Sequence, residues 1–85
     1  MQTDTELTEE VREIMASTFG MDPSELPDDV SQSTCSRWSS LYHMTLLLAL
    51  EDRFGVSFSM DEMPEMTSLP KIVAVLKRHG NGAVA

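Results

Sequence analysis

Basic residues are scarce. Six Lys and Arg stand against 14 Asp and Glu, giving a formal net charge of −8. A nucleic-acid binder is built on a basic patch, and six scattered cations do not make a large one. Cysteine is almost absent: Cys35 alone cannot form a disulfide framework. No apolar run approaches the roughly 20 residues that span a bilayer. The opening residues, MQTDTELTEE, are acidic, whereas a signal peptide starts basic and turns apolar. The expectation is a cytoplasmic protein with no membrane insertion. There is no glycine-rich phosphate loop and no Asp-x-Asp-x-Asp-Gly calcium loop. His43 and His79 lie far apart in the sequence, so no metal site is expected. No Ser, His and acid residues fall in an order that suggests a triad, and the chain is not expected to be an enzyme.

What is present is enough for one small domain. Apolar residues make up 41% of 85, which supports a core of modest stability. Leu7, Val11, Ile14, Met15 and Phe19 recur at helical spacing and predict a first helix over residues 6–19. Thr3 and Glu6 can close a capping box ahead of it, and Gly20 can stop it. Residues 20–39 read as a long connection, which is uncommon in a compact domain and usually functional or disordered. Asp22-Pro23-Ser24-Glu25 suggests a local turn inside it, with Met21, Leu26, Val30 and Trp38 as anchors to the core.

The strongest helix pattern covers residues 40–54, with Ser39 as cap and Gly55 as stop. Leu41, Met44, Leu46, Leu47, Leu48, Leu50 and Phe54 cover more than one face, so this helix is expected at the centre of the domain. Val56-Ser57-Phe58 alternates but is too short to define a strand. Ser59 and Glu62 form a capping-box pattern ahead of a short third helix. A last helix is predicted over residues 68–79, carrying Leu69, Ile72, Val73, Val75 and Leu76. Thr67 or Ser68 caps it, and Pro70 fits its first turn. Lys77, Arg78 and His79 are expected at its end, where cations suit the dipole. The whole is an all-α fold: a small antiparallel four-helix bundle with three longer helices, one short third helix and a long first loop. One domain spans 1–85, with an ordered core over about 4–79 and a flexible tail at 80–85.

One segment carries candidate chemistry. Trp38-Ser39-Ser40-Leu41 ends the polar loop and opens the most apolar helix. A serine in a first helical turn exposes its hydroxyl where free N–H groups and the helix dipole favour a phosphate. Capping alone also accounts for both serines. Ser40 and His43 lie three apart on one helix, but a hydrogen-bonded or exposed His43 accounts for that spacing better than a catalytic base.

These residues resemble the acyl carrier protein family. The family's modified serine sits in Asp-Ser-Leu, often after Trp, on a helix that ends Leu-Glu-x-x-Phe-Gly. Here the stretch reads Trp38-Ser39-Ser40-Leu41 and ends Leu50-Glu51-Asp52-Arg53-Phe54-Gly55. The similarity continues through Val56-Ser57-Phe58-Ser59 to Met66-Thr67-Ser68, and covers about residues 6 to 79. The resemblance implies that Ser40 carries a 4′-phosphopantetheine arm, added from coenzyme A by a phosphopantetheinyl transferase with Mg²⁺. The arm's thiol, not Cys35, would hold a fatty acyl, hydroxyacyl, polyketide or aminoacyl cargo as a thioester. Acyl-loading, acyl-transfer or synthase enzymes of lipid, fatty acid or polyketide biosynthesis would be the partners of a monomeric carrier. Leu46, Leu48, Leu50, Phe58, Met66, Leu69 and Ile72 match the walls of the family's acyl pocket. Two departures stand out. Ser39 replaces the family's Asp and removes a carboxylate from the site. Thr45, Tyr42 and His43 leave the partner-facing helix less acidic than usual, which points to a specialised carrier. The alternative is an unmodified carrier-like helical module for protein interaction.

The acidic crowding on the first helix and the short third helix predicts self-repulsion at low ionic strength. Added salt or Mg²⁺ is expected to raise the melting temperature. A flat response across a salt titration would contradict this.

Overall fold

Helix boundaries follow from local capping chemistry. The computed structural model describes residues 3–84, with side chains as far as His79. Helix α1 spans Asp4–Phe19. Thr3 Oγ1 accepts from Glu6 N, and Glu6 Oε1 accepts from Thr3 N at 2.9 Å, so the predicted capping box is formed. Gly20 ends the helix at φ 68°, a left-handed conformation that costs a glycine little. Helix α2 spans Ser40–Phe54, with Ser39 as its cap and Gly55 at φ 66° as its stop. Helix α3 spans Leu69–Val84. Ser68 Oγ accepts from Lys71 N at 3.3 Å and caps its start.

The segment expected to form a short third helix closes differently. Ser59 and Glu62 make both bonds of a capping box, but they close a turn. A single 3-10 turn, Met63–Glu65, follows it. Pro64 lies in the first turn of that segment, where its missing N–H is tolerated, and it interrupts any helix running on from residue 60. Another 3-10 turn, Pro23–Glu25, sits in the long loop, with Asp22 accepting from Ser24 N. Among the described residues the fold is all-helical, with three α-helices and no strand. It contains one isolated antiparallel bridge, between Ser31 and Ser68. No helix among these residues is long and apolar enough to cross a membrane.

The last helix also departs from expectation. It continues five residues past His79, so Lys77, Arg78 and His79 do not lie in its final turn. They pair sideways instead. Lys77 meets Asp4 at 3.1 Å, Arg78 lies 3.8 Å from Glu65, and His79 Nε2 lies 2.9 Å from Glu62. The expected tail is thus helical backbone through Val84, and Ala85 lies outside the described residues.

The long loop is folded onto the helices. Leu26, Val30, Cys35 and Trp38 are buried. Val30 O accepts from Leu69 N, and Thr67 O accepts from Gln32 N, both at 2.8 Å. Arg12, buried on α1, bonds to Glu9 on its own helix and to Asp28 in the loop. Arg37 Nη1 donates to Phe19 O at 3.1 Å, placing a cation at the C-terminal end of α1.

Packing centres on α1, not α2. Helix α1 packs against both α2 and α3 through Leu7, Val11, Met15, Ala16 and Phe19. Helix α2 buries only Leu46, Leu47 and Leu50. Leu41 is 74% exposed, Met44 48% and Leu48 60%. At about 100° per residue, these two triplets fall on opposite sides of the helix. A domain of three helices has too few neighbours to surround one of them, so the surplus leucines face outward. The radius of gyration is 11.9 Å, the value of about 12 Å that a compact chain of this length has.

The two faces of α2 predict opposite mutational costs. Leu46→Ala removes a side chain with 0% exposure and is expected to cost about 2–5 kcal/mol. Leu48→Ala is expected to stay within about 0.5 kcal/mol. Urea denaturation of both variants checks this, and equal costs would refute the two-faced packing.

Candidate functional site

The first turn of α2 begins where the loop is pinned. Trp38 is buried, with its ring 5.7 Å from Phe19 at the end of α1. Phe19 also meets Tyr42 edge-on at 6.1 Å. Trp38 thereby fixes the point at which the chain turns into α2. Ser39 takes an extended backbone, φ −83° and ψ 173°, as a cap residue does. Its Oγ accepts from Tyr42 N at 3.3 Å, and its carbonyl accepts from His43 N at 2.8 Å.

Ser40 is the first helical residue and is exposed. Its hydroxyl makes no hydrogen bond among the described residues, because Ser39 already performs the capping. The two serines therefore do not share one structural role. The first turn holds no acidic residue, and residues 40–50 contain no Asp, Glu, Lys or Arg. The N–H groups of Ser40 and Leu41 have no acceptor within the helix, as the first positions of any helix do not. The site thus combines a free hydroxyl, two donors and the positive end of a 15-residue helix.

His43 is not placed as a base for Ser40. Its Nδ1 accepts from Trp38 Nε1–H at 2.9 Å, and its Nε2 bonds to Met63 O at 3.1 Å. Both ring nitrogens are occupied, which fits the hydrogen-bonded reading of this residue. Among the described residues, no group of three or more His, Cys, Asp and Glu side chains is arranged to hold a metal ion. Cys35 is a free thiol, buried in the core.

Comparison with protein-family models finds none that matches this chain, and the search of curated proteins finds no match either.

The residues expected to line an acyl pocket divide in two. Leu46, Leu50, Phe58, Met66, Leu69 and Ile72 are buried together in the core. Leu48 is not, because its position on α2 points away from α1 and α3. It joins Leu41 and Met44 in an outward apolar stripe beside Ser40. A further role was hidden in the Leu-Glu-x-x-Phe-Gly stretch. Glu51 Oε2 accepts from Phe58 N at 2.7 Å, and Gly55 N–H bonds to Glu51 O. The motif thus turns the chain back after α2 and seats Phe58 in the core, its ring 5.6 Å from His79 and edge-on.

Glu62 holds the turn that follows. The backbone N–H of Ser59, and then His79, keep its carboxyl below the ordinary value of 4.5. A lowered folded value means that the ionised form stabilises the fold. That contribution is full above about pH 4.5 and is lost as the pH falls through the folded value. Glu6 and Asp22 are lowered by their capping N–H groups in the same way. The melting temperature is therefore expected to fall on acidification below about pH 4.5. The gap between wild type and Glu62→Gln should narrow over that range. Parallel melting curves for the two proteins would contradict the role of Glu62.

Proposed function

We propose that this chain is an acyl carrier protein, modified on Ser40 with 4′-phosphopantetheine. One observation carries the reading: the Ser40 hydroxyl is exposed at a helix N-terminus while Ser39 alone does the capping. Ser39 Oγ bonds to the backbone, and the Ser40 hydroxyl is left free. In the proposed modification, Ser40 Oγ attacks the β-phosphate of coenzyme A and loses its proton. The nucleotide part of coenzyme A leaves, and a phosphodiester remains on the serine. The N–H groups of Ser40 and Leu41 and the positive end of α2 suit that phosphodiester, and no carboxylate in the first turn repels it. The bound group supplies a thiol that holds an acyl cargo as a thioester. Tethering keeps the cargo at a high effective concentration near each partner enzyme.

The outward stripe of Leu41, Met44 and Leu48 supports the same reading. It places an apolar surface next to the tether, where a phosphopantetheinyl transferase and acyl-handling enzymes would dock. In this reading the protein is a cytoplasmic monomer that catalyses nothing itself. Its fold is an antiparallel four-helix bundle, with residues 59–66 standing for the short third helix. Acyl transfer for lipid or polyketide synthesis is the pathway class that fits such a carrier. Ser39 favours a second reading, because a first turn without the family's Asp also suits an unmodified interaction module.

The test is the intact mass after incubation with coenzyme A, Mg²⁺ and a broad-specificity phosphopantetheinyl transferase. Wild type is expected to gain one phosphopantetheine and Ser40→Ala none. If wild type gains nothing while a control carrier is converted, Ser39→Asp separates the readings. Gain in that variant means that the carboxylate was the missing element, and continued silence favours the interaction module.

A further inference from the structure

We propose that His43 is a positioning residue for modification at Ser40, acting with Trp38 and Met63 as a latch on the first turn of α2. The inference rests on the carrier reading above. An indole N–H is only a donor, so the Nδ1 of His43 that faces it must be the acceptor. A backbone carbonyl is only an acceptor, so the Nε2 that faces Met63 O must carry the proton. One neutral tautomer, with hydrogen on Nε2, satisfies both partners at once.

The three partners belong to different parts of the chain. Trp38 ends the long loop, His43 lies in α2, and Met63 opens the 3-10 turn. The imidazole and indole rings also lie 5.9 Å apart, centre to centre, and the indole packs on Phe19 at the end of α1. His43 is three residues after Ser40, so it sits next to Ser40 on the helix surface. The Ser39 cap bond is long, at 3.3 Å, where N–H···O bonds centre on about 2.9–3.0 Å. The two bonds of His43, at 2.9 and 3.1 Å, are at least as short and hold the same turn. The latch therefore adds two side-chain bonds to the hold that the Ser39 cap has on the first turn.

Phosphoryl transfer needs Ser40 Oγ held in line with the donor phosphorus, and small misplacements are costly. Where the ordered first turn is only partly populated, a partner's apparent affinity falls by that fraction. His43→Leu removes both bonds of the latch and is expected to raise the transferase's KM for this protein about fivefold to thirtyfold, at about 1 kcal/mol for each neutral hydrogen bond. Its kcat should stay within about twofold, since the turn is ordered again once docked. Trp38→Phe keeps a ring but removes the donor, and should shift KM in the same direction. The double variant should match the larger single effect, because both changes break one network.

Nitrogen-15 spectra of the unmodified wild type give an independent readout: His43 Nδ1 should be the unprotonated nitrogen. If wild type is modified while both single variants keep its KM, the positioning role is overturned. A protonated Nδ1 in wild type, or fully additive effects in the double variant, overturns the latch. If wild type itself is never modified, the carrier reading falls first and the positioning role falls with it.

Discussion

An indole N–H buried without an acceptor costs about 1–3 kcal/mol, so placing Trp38 inside the protein demands an acceptor beside it. His43 supplies that acceptor from α2. The consequence reaches further than one bond. The acceptor role leaves the proton on the other ring nitrogen, which then bonds to Met63 O. Burial of one aromatic residue thus ties the end of the loop, the start of α2 and the turn before α3. The same ring rests on Phe19, so α1 is joined as well. The loop before Trp38 contains only one 3-10 turn and one isolated bridge. It depends on this closure, on the Arg12 link to Asp28 and on the two backbone bonds to Leu69 and Thr67.

Apolar surface and charge are separated around α2. The acidic residues of α1 are largely engaged nearby: Glu9 with Arg12, Glu10 with Arg53 and Asp4 with Lys77. Residues 40–50 carry no formal charge, although the chain as a whole has −8. A partner that approaches Leu41, Met44 and Leu48 therefore meets an apolar face on an acidic protein. Contact there removes apolar area from water at roughly 25 cal/mol per Å², without desolvating an ion pair on the same face. Such a surface favours partners with apolar grooves over those that read a row of carboxylates.

Local chemistry was legible in the sequence, and spatial chemistry was not. Thr3 with Glu6, Ser39, Gly20 and Gly55 act within three or four residues of their partners, and each does what its spacing implies; Ser59 and Glu62 make their expected bonds but close a turn, not a helix. The arrangement around α2 needs information that spacing lacks. Seven apolar residues on one helix show how much surface can be buried, but not which arc meets a neighbour. Leu46 and Leu48 read alike in the chain and differ completely in the fold. The expected flexible tail at 80–85 is helical backbone through Val84, although Gly80 and Gly82 lie within it. At the site, Ser40 was visible as a helix-opening serine. The bonds of His43 were not, since Met63 lies 20 residues further along. A donor-only Trp five residues before a His was the one signal that pointed there.

The serine at position 39 bears on both states of the proposed carrier. A carboxylate at a helix N-terminus stabilises the helix by about 0.3–1 kcal/mol through the dipole. It also stands beside any phosphate attached to the next residue, and two anions there repel each other. A neutral Ser39 keeps the cap bond and gives up the dipole interaction. That leaves the positive end of α2 uncompensated by its own first turn. A phosphodiester on Ser40 would then supply the missing anion itself. Modification should consequently stabilise this helix more than it stabilises one that already begins with Asp. The residue that weakens resemblance to the family is, in physical terms, compatible with the group that the family carries.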